Sequence, residues 1–227
     1  MPKLYTYCIP YDDGAAPNPY WGICTLVICK PVIRRAAEVG DWVVGTGSTR
    51  SPIGDIGGCV VYAMRVSRTM TMKEYDMYAV EHVPDKVPQW RHRDVRRRLG
   101  DALYDYSVMV NPPAQRPGVH VAGNVDTDLG GRNALLSDHF YYFGDHPVRL
   151  PQDLQGIVRQ GQGHRSNSNA PYVEQFVEWI DGLGHASNTL LGKPQLDLFE
   201  NEGMIRTCAS DCAKDDKEDE RIGESIC

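Results

Sequence analysis

Three short stretches collect the residue types that a flat, anionic ligand would need. The turn-rich loop 11–19 carries Asp12 and Asn18, a carboxylate and an amide suited to the hydrogen-bonding edge of a base. Lys30 and Arg34 follow the next apolar run, and their charges suit phosphate. Trp42 opens a third stretch that runs through Gly45-Thr46-Gly47-Ser48, where an indole could stack on a ring and small residues let the backbone approach it. The expected ligand-binding set is therefore Asp12, Asn18, Lys30, Arg34, Trp42, Thr46 and Ser48. In an enzyme, Asp12 would act as acid or base, with Lys30 or Arg34 stabilising charge. The plainer reading makes Asp and Asn turn formers, the cations solvated helix residues and the indole a core residue.

Other candidates carry less. Phe140-Tyr141-Tyr142-Phe143 offers four rings, but a strand sends alternate residues to opposite faces, so they cannot all meet one ligand. His164 lies in a polar stretch that reads as an exposed loop, and the basic run Arg91 to Arg98 reads as a solvated helix face. Gly45-x-Gly47 lacks the third glycine of a dinucleotide fingerprint. Phosphate-loop, Gly-x-Ser-x-Gly and His-Glu-x-x-His motifs are missing. The seven cysteines are odd in number and mostly scattered through apolar segments, as reduced, buried cysteines are. Only Cys208-x-x-x-Cys212 approaches metal spacing, and it lacks a second pair, so neither metal nor cofactor is expected.

The elements that must position these residues follow from their periodicity. Strands are expected over 3–8, 22–29, 41–48 and 57–66, the last two forming a hairpin, with another over 118–122. Pro31 suits the first turn of a helix whose apolar stripe is Val32, Ile33, Ala36 and Ala37. Further helices are expected over 73–80, 93–104, 151–158 and 172–183, the last with Val173, Phe176, Val177 and Ile180 on one stripe.

Hydrophobic residues make up 41% of the 227, enough for an ordinary core, and the net charge of −6 argues against binding nucleic acid chiefly through its phosphates. From Asp211 to Glu224, seven acids oppose three bases, so this stretch carries −4 of the total and the body only −2. Residues 1–209 are expected to form one α+β domain and 210–227 an acidic, disordered tail. The absence of a signal-like or membrane-length apolar run gives a cytoplasmic expectation with no membrane partner.

Asp12-x-Gly14-x-Ala16-Pro17-Asn18-Pro19, then Cys24 to Arg34, then Gly40-Asp41-Trp42-Val43-Val44-Gly45-Thr46-Gly47-Ser48 resemble the second of the nucleotide modification associated domain families. Leu136-Ser137-x-x-Phe140-x-Tyr142-Phe143-Gly144 and Leu150-Pro151 resemble its second half. The resemblance spans roughly residues 3 to 183 and implies a setting in which modified DNA bases are made or handled. More distantly, Gly40 to Gly45 with the strand Cys59 to Val66 resembles PUA-like domains of the EVE and ASCH kinds. That implies a mixed α+β fold around a PUA-like β-barrel core with flanking helices. The expected function is recognition of a modified nucleobase or nucleotide in a DNA-modification or phage-defence system. The partners would be that base, nucleotide or DNA, and other proteins of the system. The alternatives are a transferase or hydrolase acting on the same ligand, and a protein-interaction accessory subunit.

Overall fold

Alternating β-formers build the first strand, β1 (Leu4–Ile9), and a second, β2 (Cys24–Leu26), follows the loop 10–23. The computed structural model describes residues 1–199; the expected tail, 210–227, lies outside the described residues. Helix α1 (Pro31–Ala36) begins with its proline in the first turn, as expected. It leads to β3 (Trp42–Gly47), β4 (Cys59–Arg65) and β5 (Arg68–Thr71). Helix α2 (Met72–His82) starts at a capping box in which Thr71 and Glu74 satisfy each other's backbone N–H. Then come α3 (Val95–Arg98), β6 (Tyr104–Asp105), β7 (Ala114–Gln115) and α4 (Val125–Gly130). The chain continues through β8 (Asn133–Ser137), β9 (His139–Tyr142), β10 (Val148–Arg149), β11 (His164–Arg165), α5 (Val173–Gly182) and β12 (Thr189–Leu190).

The main sheet runs β11-β1-β3-β4-β9-β12, with β10 on β4; β2-β8-β5 and β6-β7 form two smaller sheets. β1 and β3 are parallel, in register from Leu4 opposite Trp42 to Ile9 opposite Gly47, so their carboxyl ends finish side by side. β3 and β4 form the expected hairpin, with a bulge between Gly45 and Thr46. A Cβ on Gly45 would stand 2.2 Å from Ile9 Cδ1 and 2.6 Å from Tyr62 Cε1, so packing between strands explains that glycine. One face of the sheet packs beneath α5 through Phe176 and Ile180. The other packs against Ile33 of α1 and against Cys24, Leu26 and Leu135 of the second sheet.

The architecture is mixed α+β, as expected, but the described strands form open sheets and no closed barrel. A sheet covered on both faces has its apolar surface buried without curling on itself. The helix expected over 93–104 stops at Arg98. Gly100 packs so closely that a Cβ there would lie 2.5 Å from Lys86 O and 2.7 Å from Pro88 N. The strand expected over 118–122 is absent: Val119 is buried, Val121 is 48% exposed, and no described strand pairs with them. No described helix is long and apolar enough to cross a membrane.

Candidate functional site

A cavity of about 550 Å³ opens beyond the carboxyl ends of β1 and β3, where open sheets with parallel strands commonly hold ligands. Its wall comes from the loop after β1 (Tyr11, Asp13), the loop after β3 (Ser48 to Arg50), the entry to α1 (Lys30) and the irregular segment that ends at His120. Tyr7, on β1, forms its floor. Lys30 Nζ stands 4.8 Å over the Tyr7 ring, and the Tyr7 hydroxyl is 2.9 Å from that of Tyr62.

The backbone at the entry to α1 is strained: Cys29 and Lys30 have φ of 59° and 45°, in the left-handed region. The surroundings fix this geometry. Cys29 N donates to Asp128 Oδ1 at 3.0 Å, while Arg34 Nε donates to Cys29 O at 2.7 Å. Asp128 Oδ2 also receives the Tyr104 hydroxyl at 2.8 Å and lies 2.7 Å from His120 Nδ1. Burial alone would raise the Asp128 carboxyl, but His120, Arg34 and the Cys29 N–H hold it below the ordinary carboxylate range. Being ionised, Asp128 can only accept, so His120 Nδ1 carries a proton and donates it. His120 Nε2 sits 3.4 Å from Cys29 Sγ at the cavity wall. Asp13, in the same wall, is close enough for the charges of the two groups to interact.

Of the residues expected from sequence, Lys30 and Ser48 line this cavity. Asp12 is buried beneath it, accepting from the Tyr142 hydroxyl at 2.7 Å, and desolvation raises its carboxyl to about 7 despite that bond. Asn18 is fully buried, donating to Leu99 O at 2.9 Å and accepting from Lys86 Nζ at 2.7 Å. Arg34 is also fully buried, donating to the carbonyls of Cys29, Asn133 and Asp128. Thr46 donates to Tyr7 O at 3.1 Å. Trp42 faces the opposite side of the sheet, edge-on to His139 and Phe176 at 5.4 and 5.8 Å.

His164 is buried on β11 opposite Tyr7, where an exposed loop was expected. In the basic run, Arg96 pairs with Asp94, Arg97 with Asp85, and Arg98 covers Phe199. Cys8, Cys24 and Cys59 form no disulfide. Among the described residues, no three His, Cys, Asp or Glu side chains gather to hold a metal ion.

Sequence reasoning missed Tyr7, Asp13 and the His120–Asp128 pair. His120 lies in an irregular segment and Asp128 on α4, so no single period relates the two and only the fold reveals the pair.

A family model described as nucleotide modification associated domain 2 matches residues 1–202. The chain belongs to this family. The match spans every strand and helix above, and with it a role associated with nucleotide modification. No curated protein and no solved structure matches the chain. Within this member of the nucleotide modification associated domain 2 family, the cavity beyond β1 and β3 brings cation, carboxylate, imidazole and phenol together.

Proposed function

We propose that the chain recognises a modified nucleobase or nucleotide in the cavity beyond β1 and β3, as part of a DNA base-modification or phage-defence system. The supporting observation is the composition of that one wall: Lys30, Asp13, His120 held by Asp128, and the rings of Tyr7 and Tyr11. A nucleotide presents the matching groups, an anion, a polar base edge and a flat ring. Lys30 meets phosphate, Asp13 and His120 Nε2 read the base edge, and Ser48 adds a hydroxyl contact. Asp12, Asn18, Arg34, Thr46 and Trp42 act from behind, holding the segments that carry those groups. Titration with canonical and modified nucleoside monophosphates tests this reading. Lys30→Gln should weaken every nucleotide about tenfold, and Asp13→Asn should change which base is preferred. Parent-like binding by both variants, each still melting cooperatively, would remove the cavity from consideration.

A second reading, an enzyme acting on the same ligand, is favoured by the Asp128-fixed imidazole. A carboxylate that locks the proton on Nδ1 leaves Nε2 to take or give one in a reaction. In that case His120→Gln abolishes turnover of the bound nucleotide while leaving its affinity within a few fold.

A further inference from the structure

A second cleft, of about 590 Å³, adjoins the first and shares Cys8, Ser48, Thr49 and Gly161 with it. The two together form one trough across the carboxyl ends of β1 and β3. Their chemistry differs. The second cleft holds the cations Arg149 and Arg159, and no described aromatic residue lines it.

Both guanidiniums are anchored: Arg149 Nη1 donates to Gly57 O at 2.8 Å and Arg159 Nε donates to Gln162 O at 2.7 Å. Each fork has five N–H donors, so one such bond orients it and leaves its other donors and its charge for a ligand. Gly57 and Gly58 bare the backbone beside them, and Gln155 pins that backbone by donating to Gly58 O at 3.2 Å and Leu150 O at 2.7 Å. Asp55 is the carboxylate in this lining, and its Oδ1 accepts from Gly57 N at 2.9 Å.

We infer that the second cleft seats the phosphodiester next to the recognised nucleotide, so that the ligand is a nucleotide within a single strand of nucleic acid. This rests on the first cavity taking the base. Two guanidiniums in one cleft suit a phosphate, and the lack of aromatic rings means that this cleft grips backbone without stacking a base. Its volume exceeds what a terminal phosphate fills. Its rim, at Arg149, Gln160 and Gly161, is exposed, so a strand can leave into solvent. Tolerance of any neighbouring base follows.

The test compares the full chain with its Arg149→Gln/Arg159→Gln variant, using fluorescence anisotropy. The probes are deoxynucleoside monophosphates, the corresponding triphosphates, and short single-stranded DNA and RNA homo-oligomers. The oligomer of the preferred base should bind the parent at least tenfold tighter than its monophosphate. The double variant should lose that gain and keep monophosphate affinity within twofold. Should the double variant fail to melt cooperatively, Arg159→Gln alone should lose part of the same gain. Oligomers that bind no tighter than monophosphate overturn the second cleft while leaving the first cavity intact. A tenfold gain for triphosphate without one for oligomers makes the cleft a polyphosphate site and also overturns the inference. If nothing binds, the reading of the first cavity falls with it.

Discussion

At the scale of single residues, the decisive property is where a side chain points. Asp12 and Asp13 are neighbours of one type, yet Asp13 lines the cavity and Asp12 is buried against the Tyr142 hydroxyl. Burial raises the Asp12 carboxyl from 3.8 to about 7, more than the Tyr142 bond lowers it. The folded state therefore binds this proton more tightly than the unfolded chain. The contribution of Asp12 to stability is complete below about pH 4 and is lost as pH rises through about 7, because above it a buried charge must be kept. Asp12→Asn removes that charge and keeps an oxygen to accept from Tyr142. It should raise the melting temperature relative to the parent at pH 8, with an advantage on the order of 1–3 kcal/mol that shrinks towards pH 4. Thermal melts of both proteins from pH 4 to 8 measure it, and a difference independent of pH would show that Asp12 is not the titrating group.

Between elements, buried polar links decide which segments hold together. Lys86 Nζ lies fully buried, donating to Asn18 O, Asn18 Oδ1, Ile23 O and Thr25 Oγ1 at 2.7–2.9 Å. Thr25 and Tyr75 in turn each donate to Asp101 at 2.5 Å. This network ties the loop before β2, β2 itself, α2 and the segments around 86 and 101. Desolvation lowers the lysine to about 8, so it stays charged at neutral pH. Lys86→Met strands the carbonyls and leaves Asp101 uncompensated. It should cost about 3–5 kcal/mol in urea denaturation. Adding Asp101→Asn should recover about 1–3 kcal/mol through their coupling; strictly additive losses would separate the two groups. The sequence made β1, β3, β4, α1, α2 and α5 legible because periodicity and caps are local. It did not reveal this network, nor the His120–Asp128 pair, because both join residues of different elements and loops that no local period relates. Asn18 and Arg34 were legible as polar residues worth explaining. Their partners are largely backbone carbonyls, and sequence holds no signal for those.

Across the whole molecule, the main sheet separates two tasks by its faces. Tyr5, Tyr7 and Val43 point to the side of α1 and the second sheet, where the cavity opens. Leu4, Trp42 and Val44 point to the side of α5. The same division splits the aromatic run of β9: Phe140 and Tyr142 pack on the first side, Tyr141 and Phe143 on the second. A residue on the α5 side can therefore stabilise the sheet without touching the ligand. Phe176 is fully buried there, 5.8 Å from the Trp42 ring. Phe176→Ala should cost about 3–5 kcal/mol, from lost transfer energy and the cavity left behind. Trp42→Phe should cost less, since a ring still fills much of the space. Both should bind nucleoside monophosphates within twofold of the parent, measured well below their melting temperatures, because β1 and β3 remain in register and the cavity wall is unchanged. Lys30→Gln should show the reverse pattern, with a melting temperature close to the parent and affinity reduced. A Trp42→Phe variant that melts like the parent but binds every nucleotide tenfold more weakly would mean that the indole stacks on the ligand, and the division between the two faces would fail.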